Sequence, residues 1–128
     1  MENKYFTALK YGLSGAELLS DPAAVQRDCN GIGPEWFPAW LRWSITALCP
    51  SLVLAADIHD RRYSIGGDRN DRLRADAEFL ANIVVIADRR YRYFPPLRRL
   101  TECLGMKMYR ILRYTGGKAW KEVNTDDE

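Results

Sequence analysis

The sequence is poor in the residues that build cross-linked scaffolds and metal clusters. Its 128 residues include three cysteines and one histidine. Cys29, Cys49 and Cys103 are too few and too scattered for a disulfide framework. Together with one histidine they also show none of the paired spacings that hold zinc. We therefore expect free thiols in a reducing environment.

Long apolar runs and a strong net charge are missing as well. No segment approaches the roughly 18 apolar residues of a membrane span, and the N-terminal stretch MENKYFTALKYGLSGAELLSD lacks the continuous apolar core of a signal peptide. These features predict a protein that is cytoplasmic as synthesised. The net charge of +2 does not indicate a nucleic-acid partner by itself, although basic residues gather in DRRYRYFPPLRR.

A chain of this length is expected to form a single domain, residues 1–128. Strand patterns are weak, so the predicted class is all-α. A helix of about 13 residues is predicted from Leu52 to the glycines that follow position 65, with Ser51 as its N-cap. A second helix, capped near Asp68, runs to residue 89 or 90, and a C-terminal helix covers about 96–115.

Each predicted helix has one apolar face, and the short connection between the first two makes them antiparallel neighbours. The first face contains Leu52, Ala55, Ala56, His59 and Tyr63. The second contains Leu73, Asp76, Ala77, Leu80, Val84 and Ala87. The third contains Leu97, Leu100, Leu104, Met108, Ile111 and Leu112.

The histidine is the most informative residue on these faces. If the first two helices pack through their apolar faces, His59, Tyr63 and Asp76 meet inside while Asp60 projects from the edge. A buried carboxylate and a buried imidazole are costly unless they are paired, which predicts a hydrogen bond between them. One ring nitrogen then donates to Asp76, and the other faces a reactant as a general base.

A lone histidine on an apolar face is more often an ordinary core residue. Here the facing acid, the tyrosine one turn away and the neighbouring Asp60 favour a catalytic role. The loop CNGIGP, residues 29–34, adds to this, because Gly31 and Gly33 leave its carbonyls free to converge. Most such glycine pairs are plain turns, but carbonyls together with a carboxylate are the ligands of hard cations such as calcium.

The strings CNGIGP, HDRRY and RADAEF, in this order, resemble the signature of the phospholipase A2 superfamily. That signature is a glycine-rich calcium loop, a helix with His-Asp-x-x-Tyr, and an antiparallel helix with an aspartate. HDRRY and RADAEF are especially similar to the disulfide-free phospholipase domain of parvovirus capsid proteins. The match covers residues 29–80 within a motif-bearing core of 29–90. It implies two long antiparallel helices that carry the active site, an N-terminal calcium-binding loop and an additional C-terminal helix.

The resemblance also implies individual roles and an activity. His59 is the general base, supported by Tyr63 and Asp76. The calcium ligands are the carbonyls of Cys29, Gly31 and Gly33 and the carboxylate of Asp60, and the Gly31 amide helps to hold the oxyanion. The implied reaction is calcium-dependent hydrolysis of the sn-2 acyl ester of glycerophospholipids. A virus particle, or export without a signal peptide, is the delivery route that such a resemblance suggests.

A phospholipid membrane surface is the partner expected for such an enzyme. Trp36, Phe37, Trp40 and Arg62 are the predicted interfacial residues, and Trp43 could insert with them, although at least two of these four aromatic residues are expected to pack in the core. Five arginines of the two active-site helices are expected on their solvent sides, where they attract anionic lipids: Arg61, Arg62, Arg69, Arg72 and Arg74.

Two rival functions remain open at the level of sequence. The first is a catalytically inactive phospholipase A2 fold that binds lipid or a partner protein. The second is a basic nucleic-acid-binding protein that uses RRYRYF, where arginines and aromatics interleave. The second leaves the His59 and Asp76 pair unexplained, so no nucleic acid is expected as a partner. The oligomeric state is not indicated.

Overall fold

The computed structural model describes residues 3–29, 43, 47, 49–118 and 120. In this part of the chain there are five α-helices and no β-strand, which confirms the all-α class. The helices are α1 Lys4–Tyr11, α2 Pro22–Asp28, α3 Leu52–Ile65, α4 Arg69–Arg90 and α5 Pro95–Thr115. Short 3-10 turns cover Ala16–Leu19 and Gly116–Lys118.

The turn between α3 and α4 is made by the residues that the sequence singles out. Gly66 adopts a φ of 78° and Gly67 a φ of 147°, values that favour glycine. The Asp68 carboxylate accepts a 2.8 Å hydrogen bond from the Asp71 N–H, and the Asp71 carboxylate accepts one of 3.1 Å from the Asp68 N–H. This reciprocal cap fixes the start of α4. Ser51 is the N-cap residue of α3, as predicted, but its side chain makes no capping hydrogen bond, and its hydroxyl instead bonds to the Tyr11 hydroxyl at 2.9 Å.

The predicted apolar face of α3 is buried throughout, including His59 and Tyr63. The prediction for α4 is partly wrong. Leu73, Ala77 and Val84 are exposed, and the buried face runs instead through Ala75, Asp76, Phe79, Asn82, Ile83, Ile86 and Ala87. Because α4 carries apolar residues on opposite sides, periodicity alone does not identify the side that faces the core.

The C-terminal helix begins at its two prolines and ends before Gly116, as predicted. Its apolar face is only partly as predicted, because Leu100 is 47% exposed and the buried residues are Thr101, Gly105 and Met108. Gly105 lies against α4 so closely that a Cβ atom there would be 2.6 Å from the Ile83 Cγ2 atom. The backbone of α5 at Gly105 therefore packs directly against the Ile83 side chain of α4.

None of the described helices combines the length and the apolar character that a membrane span needs.

Candidate active site

The centre of the site is the carboxylate of Asp76, which is completely buried. Its Oδ1 atom lies 2.7 Å from the His59 Nε2 atom and accepts a 2.7 Å hydrogen bond from the Tyr63 hydroxyl. Its Oδ2 atom accepts a 2.7 Å hydrogen bond from the Arg113 Nη1 atom. The hydrogen bond predicted between the imidazole and the facing acid is therefore present, and Tyr63 joins it.

These contacts determine the charge of the carboxylate. Burial acts to raise the pKa of Asp76, but the hydrogen bonds from His59, Tyr63 and Arg113 outweigh it and lower the pKa below the ordinary value. Burial, and the hydrogen bond given to Asp76, raise the pKa of Tyr63. Asp76 is thus an ionised acceptor and Tyr63 a protonated donor at neutral pH.

An ionised Asp76 also determines the tautomer of the histidine. Because Asp76 Oδ1 can only accept, the His59 Nε2 atom carries a hydrogen. In the neutral ring the basic nitrogen is then Nδ1. Among the described residues, the imidazole makes its hydrogen bond through Nε2, and no hydrogen-bond partner contacts Nδ1. His59 therefore has the arrangement of a general base that is oriented by an acid.

Two aromatic rings pack against the imidazole. The Tyr63 ring lies 4.3 Å from the His59 ring between centroids, and the Phe79 ring lies 5.0 Å away. Trp120 meets Tyr63 edge-on at 4.9 Å, and its indole N–H donates to the Gly67 carbonyl at 3.0 Å. Phe79 belongs to the RADAEF string, but Trp120 has no motif that would have indicated this position.

Two arginines complete the site, and the sequence predicted a role in it for neither. Arg113 reaches Asp76 from the last turn of α5, 37 positions further along the chain. Arg72 donates from Nε to the Tyr63 hydroxyl at 3.2 Å and from Nη2 to the carbonyls of Leu112 and Arg113 at 2.7 and 3.1 Å. The end of α5 is thus fastened to the residues that hold His59.

The expectation that the helix arginines face solvent is wrong for two of them. The side chains of Arg61 and Arg72 are only 15% and 17% exposed. Arg61 is turned toward Asp28 and the Leu18 carbonyl, because these oxygens bond its guanidinium. Arg62, predicted at the membrane surface, donates two 3.0 Å hydrogen bonds to Glu78, so its charge is already paired.

A second group of polar side chains lies at the other candidate position. Ligand atoms of Cys29, Asp57 and Asp60 lie within 4.8 Å of one another. Asp57 is buried and pairs with the Lys4 ammonium at 2.6 Å, while the Cys29 thiol donates to the Asp57 carbonyl at 3.4 Å. Asp57 was missed by sequence reasoning, although it precedes Asp60 by three residues and so shares its side of α3.

The donor chemistry of this group fits a hard cation better than a soft one. Two carboxylates are ligands of calcium or magnesium type. Burial, followed by the charges of Asp57 and Asp60, raises the pKa of the Cys29 thiol to about 12, so the thiolate that a soft metal needs is disfavoured. The Lys4 ammonium competes with any cation for Asp57. Calcium itself remains a prediction.

Several predicted residues lie outside the described part of the chain. These are the loop residues Gly31 and Gly33, with the Gly31 amide, and the interfacial residues Trp36, Phe37 and Trp40. Trp43 is described, and its side chain is 73% exposed.

Comparisons with protein-family models, with curated proteins and with solved structures find no match to this chain.

Proposed function

We propose that this protein is a phospholipase A2-like hydrolase that cleaves the sn-2 acyl ester of glycerophospholipids with the help of calcium. The observation that carries the proposal is the buried His59 and Asp76 pair, whose 2.7 Å contact orients the imidazole. The order of HDRRY and RADAEF along the chain agrees with it. The acidic group at Asp57 and Asp60 provides oxygen ligands on the same helix as the histidine.

Contacts between α3 and α4 support the paired-helix arrangement that the resemblance implies. Arg62 bonds Glu78 across 16 positions, and Tyr63, one residue nearer the turn, bonds Asp76 across 13. The separation shrinks toward the turn, as it does between antiparallel neighbours. This is the geometry in which a histidine on one helix faces an aspartate on the other.

The proposed reaction uses water as the nucleophile. The His59 Nδ1 atom accepts a proton from water, and the oxygen of that water attacks the sn-2 ester carbonyl. Asp76 stabilises the imidazolium that forms, while Tyr63 and Arg113 hold Asp76 in place. As the tetrahedral intermediate collapses, the ester C–O bond breaks and the imidazolium returns the proton to the leaving alcohol. The products are a fatty acid and a lysophospholipid.

Calcium would be held by Asp60, with Asp57 nearby, and by the loop carbonyls of Cys29, Gly31 and Gly33. When bound, it supplies positive charge for the substrate phosphate and for the developing oxyanion. The chain's own contribution is the pair of carboxylates, which lie close together although like charges repel. A divalent cation would offset that repulsion, which the Lys4 ammonium already reduces at Asp57.

The test measures acyl release from phospholipid vesicles labelled at the sn-2 position, with calcium or with EDTA. We expect calcium-dependent release by the wild-type protein and a loss of at least about 100-fold in His59→Gln. Vesicles labelled at the sn-1 position are the matched control and should release nothing. Circular dichroism and thermal melting confirm that the variant folds.

Release that persists in EDTA or in His59→Gln would contradict the proposal. So would a protein that calcium stabilises against heat but that releases no acyl chain. That second outcome would favour the inactive lipid- or partner-binding fold instead.

A further inference from the structure

The outer face of α4 carries apolar residues that are exposed rather than buried in the core. Leu73 and Val84 are 44% and 41% exposed, and Ala77 and Ala81 are exposed as well. Together with Tyr109 of α5, part of this face forms an open groove of about 550 Å³. The groove is lined by Ala77, Leu80, Ala81, Val84, Val85 and Tyr109. A groove with so few polar groups needs an apolar occupant.

The pattern of this face fits another helix. Positions 73, 77, 80 and 84 follow the three- and four-residue steps of a single stripe along a helix. Ala77 and Ala81 are small enough to let a neighbouring backbone approach. Leu73, Leu80 and Val84 supply the larger apolar surface. The stripe has the composition of a helix–helix contact, and no other helix among the described residues covers it.

The charges beside the stripe identify the occupant. Arg74 and Asp88 lie near its two ends, each seven positions from Ala81. Their side chains are 80% and 52% exposed. When a second copy of the helix lies antiparallel to the first, with the two-fold axis at Ala81, each of these charges faces the opposite charge of the other copy. This is the property that an interface between identical copies requires.

We propose that two copies of this chain associate through this face, with α4 of one copy antiparallel to α4 of the other. A two-fold axis near Ala81 sets Arg74 against Asp88 of the second copy, and it does so twice. The 14 positions between them correspond to roughly 21 Å of helix, and the stripe between the two pairs is buried. Leu80 then lies near Val84 of the second copy.

The contacts that Arg74 and Asp88 make within one copy do not oppose this exchange. Arg74 lies 3.6 Å from Asp71, and Asp88 lies 3.4 Å from Arg92. Both are exposed pairs between residues three or four positions apart, and such pairs contribute little to stability. Association therefore adds new partners without breaking a buried interaction.

Sedimentation equilibrium over a range of protein concentrations tests the association. The wild-type protein is expected to dimerise, and Ala81→Glu is expected to be monomeric, because two glutamates would meet at the axis. Lys107→Glu, on the exposed side of α5, is the matched control and should dimerise like the wild type. His59→Gln should also dimerise, so a failure of the proposed activity leaves this result unaffected.

Charge reversal tests the antiparallel arrangement. Arg74→Asp and Asp88→Arg should each raise the dissociation constant of the dimer at least about tenfold. Each change places like charges opposite one another at both of the symmetry-related pairs. An equimolar mixture of the two variants should recover the dimer, since every reversed residue then faces its opposite. Thermal melting of each variant confirms its fold.

Three results would overturn the proposal. They are a wild-type monomer up to about millimolar concentration, a dimer that persists in Ala81→Glu, and a mixture of the two charge variants that does not recover. Wild-type protein that stays monomeric but binds anionic vesicles through this face, with binding lost in Ala81→Glu, would assign the groove to lipid instead.

Discussion

Asp76 on α4 and Asp57 on α3, the helix that carries the histidine, are both buried carboxylates, and they differ in how their charge is compensated. Asp76 is completely buried, and three donors occupy its two oxygens, one of them the Arg113 guanidinium. Asp57 is almost as deeply buried, but it pairs with an ammonium whose side chain is 47% exposed. It also shares its surroundings with Asp60 and Cys29.

The difference separates two tasks. A buried carboxylate whose two oxygens already accept from three donors is poorly placed to bind a metal, but it can hold a neighbouring ring in one orientation. Two carboxylates close together, one of them paired with a half-exposed lysine, have the composition of a site that could take a hard cation. Histidine positioning and cation binding would thus reside in separate acidic groups, and variants should be able to lose one and keep the other.

The largest effect is expected for Asp76→Asn. The change leaves the Arg113 guanidinium without its counter-charge and places an amide where three donors converge. Because the Arg113 side chain is 32% exposed, breaking this pair should cost about 3 kcal/mol in the free energy of unfolding, the lower end for buried pairs, as measured in urea. Glu102→Gln removes one charge at a half-buried position of α5 and should cost about 0.5 kcal/mol or less. Equal costs for the two variants would contradict the role given to Asp76.

The next effect separates the two groups directly. Asp60→Asn should weaken calcium binding at least about tenfold, because a carboxylate ligand becomes neutral. The measurement is the rise in melting temperature with calcium, since a ligand of the native state raises its stability. Asp76→Asn should be less stable yet keep its response to calcium. A response that survives in Asp60→Asn would remove this residue from the cation site.

The dependence of stability on pH gives a smaller effect with a defined sign. The pKa of Asp76 is lowered in the folded protein from an ordinary value of 3.8, so near that pH the unfolded chain binds more protons. The free energy of unfolding should therefore fall as the pH is lowered from about 5 toward 2. In Asp76→Asn the fall should be shallower. Equal slopes in urea titrations of the two proteins would show that another group dominates.

The smallest effect is expected for Cys29→Ser. Because the thiol has a pKa of about 12 and stays protonated at neutral pH, its sulfur is a poor ligand for a hard cation. Calcium affinity should change less than about twofold, as measured by calorimetry. A tenfold change would mean that the side chain, rather than the carbonyl, binds the ion.

Local signals accounted for much of the fold and for the centre of the site. Gly66 ends α3 and Asp68 caps α4 through contacts with residues next to them in the sequence, so both helix ends were predictable. The meeting of His59, Tyr63 and Asp76 followed from helical spacing and from the cost of burying unpaired polar groups. These three residues lie within 18 positions of one another, on two helices joined by a short turn.

Contacts over long distances in the sequence were not predictable. Arg113 is 37 positions from Asp76, and Lys4 is 53 positions from Asp57. No periodicity links such pairs, because only the packing of α5 and α1 onto the other helices brings them together. The buried side of α4 was misjudged for the same reason, since its apolar residues occupy both sides and tertiary contact alone selects one.

The close approach at Gly105 has a consequence for the length of α5. Because Gly105 has no side chain, Ile83 of α4 fits against α5 at this residue, where a Cβ atom would clash with it. This contact fixes the position of α5 along α4. Arg113 lies eight residues further on, roughly 12 Å along the axis. One inserted residue between them would turn the guanidinium by about 100° away from Asp76. This segment should tolerate many exposed substitutions but no change in the number of its residues.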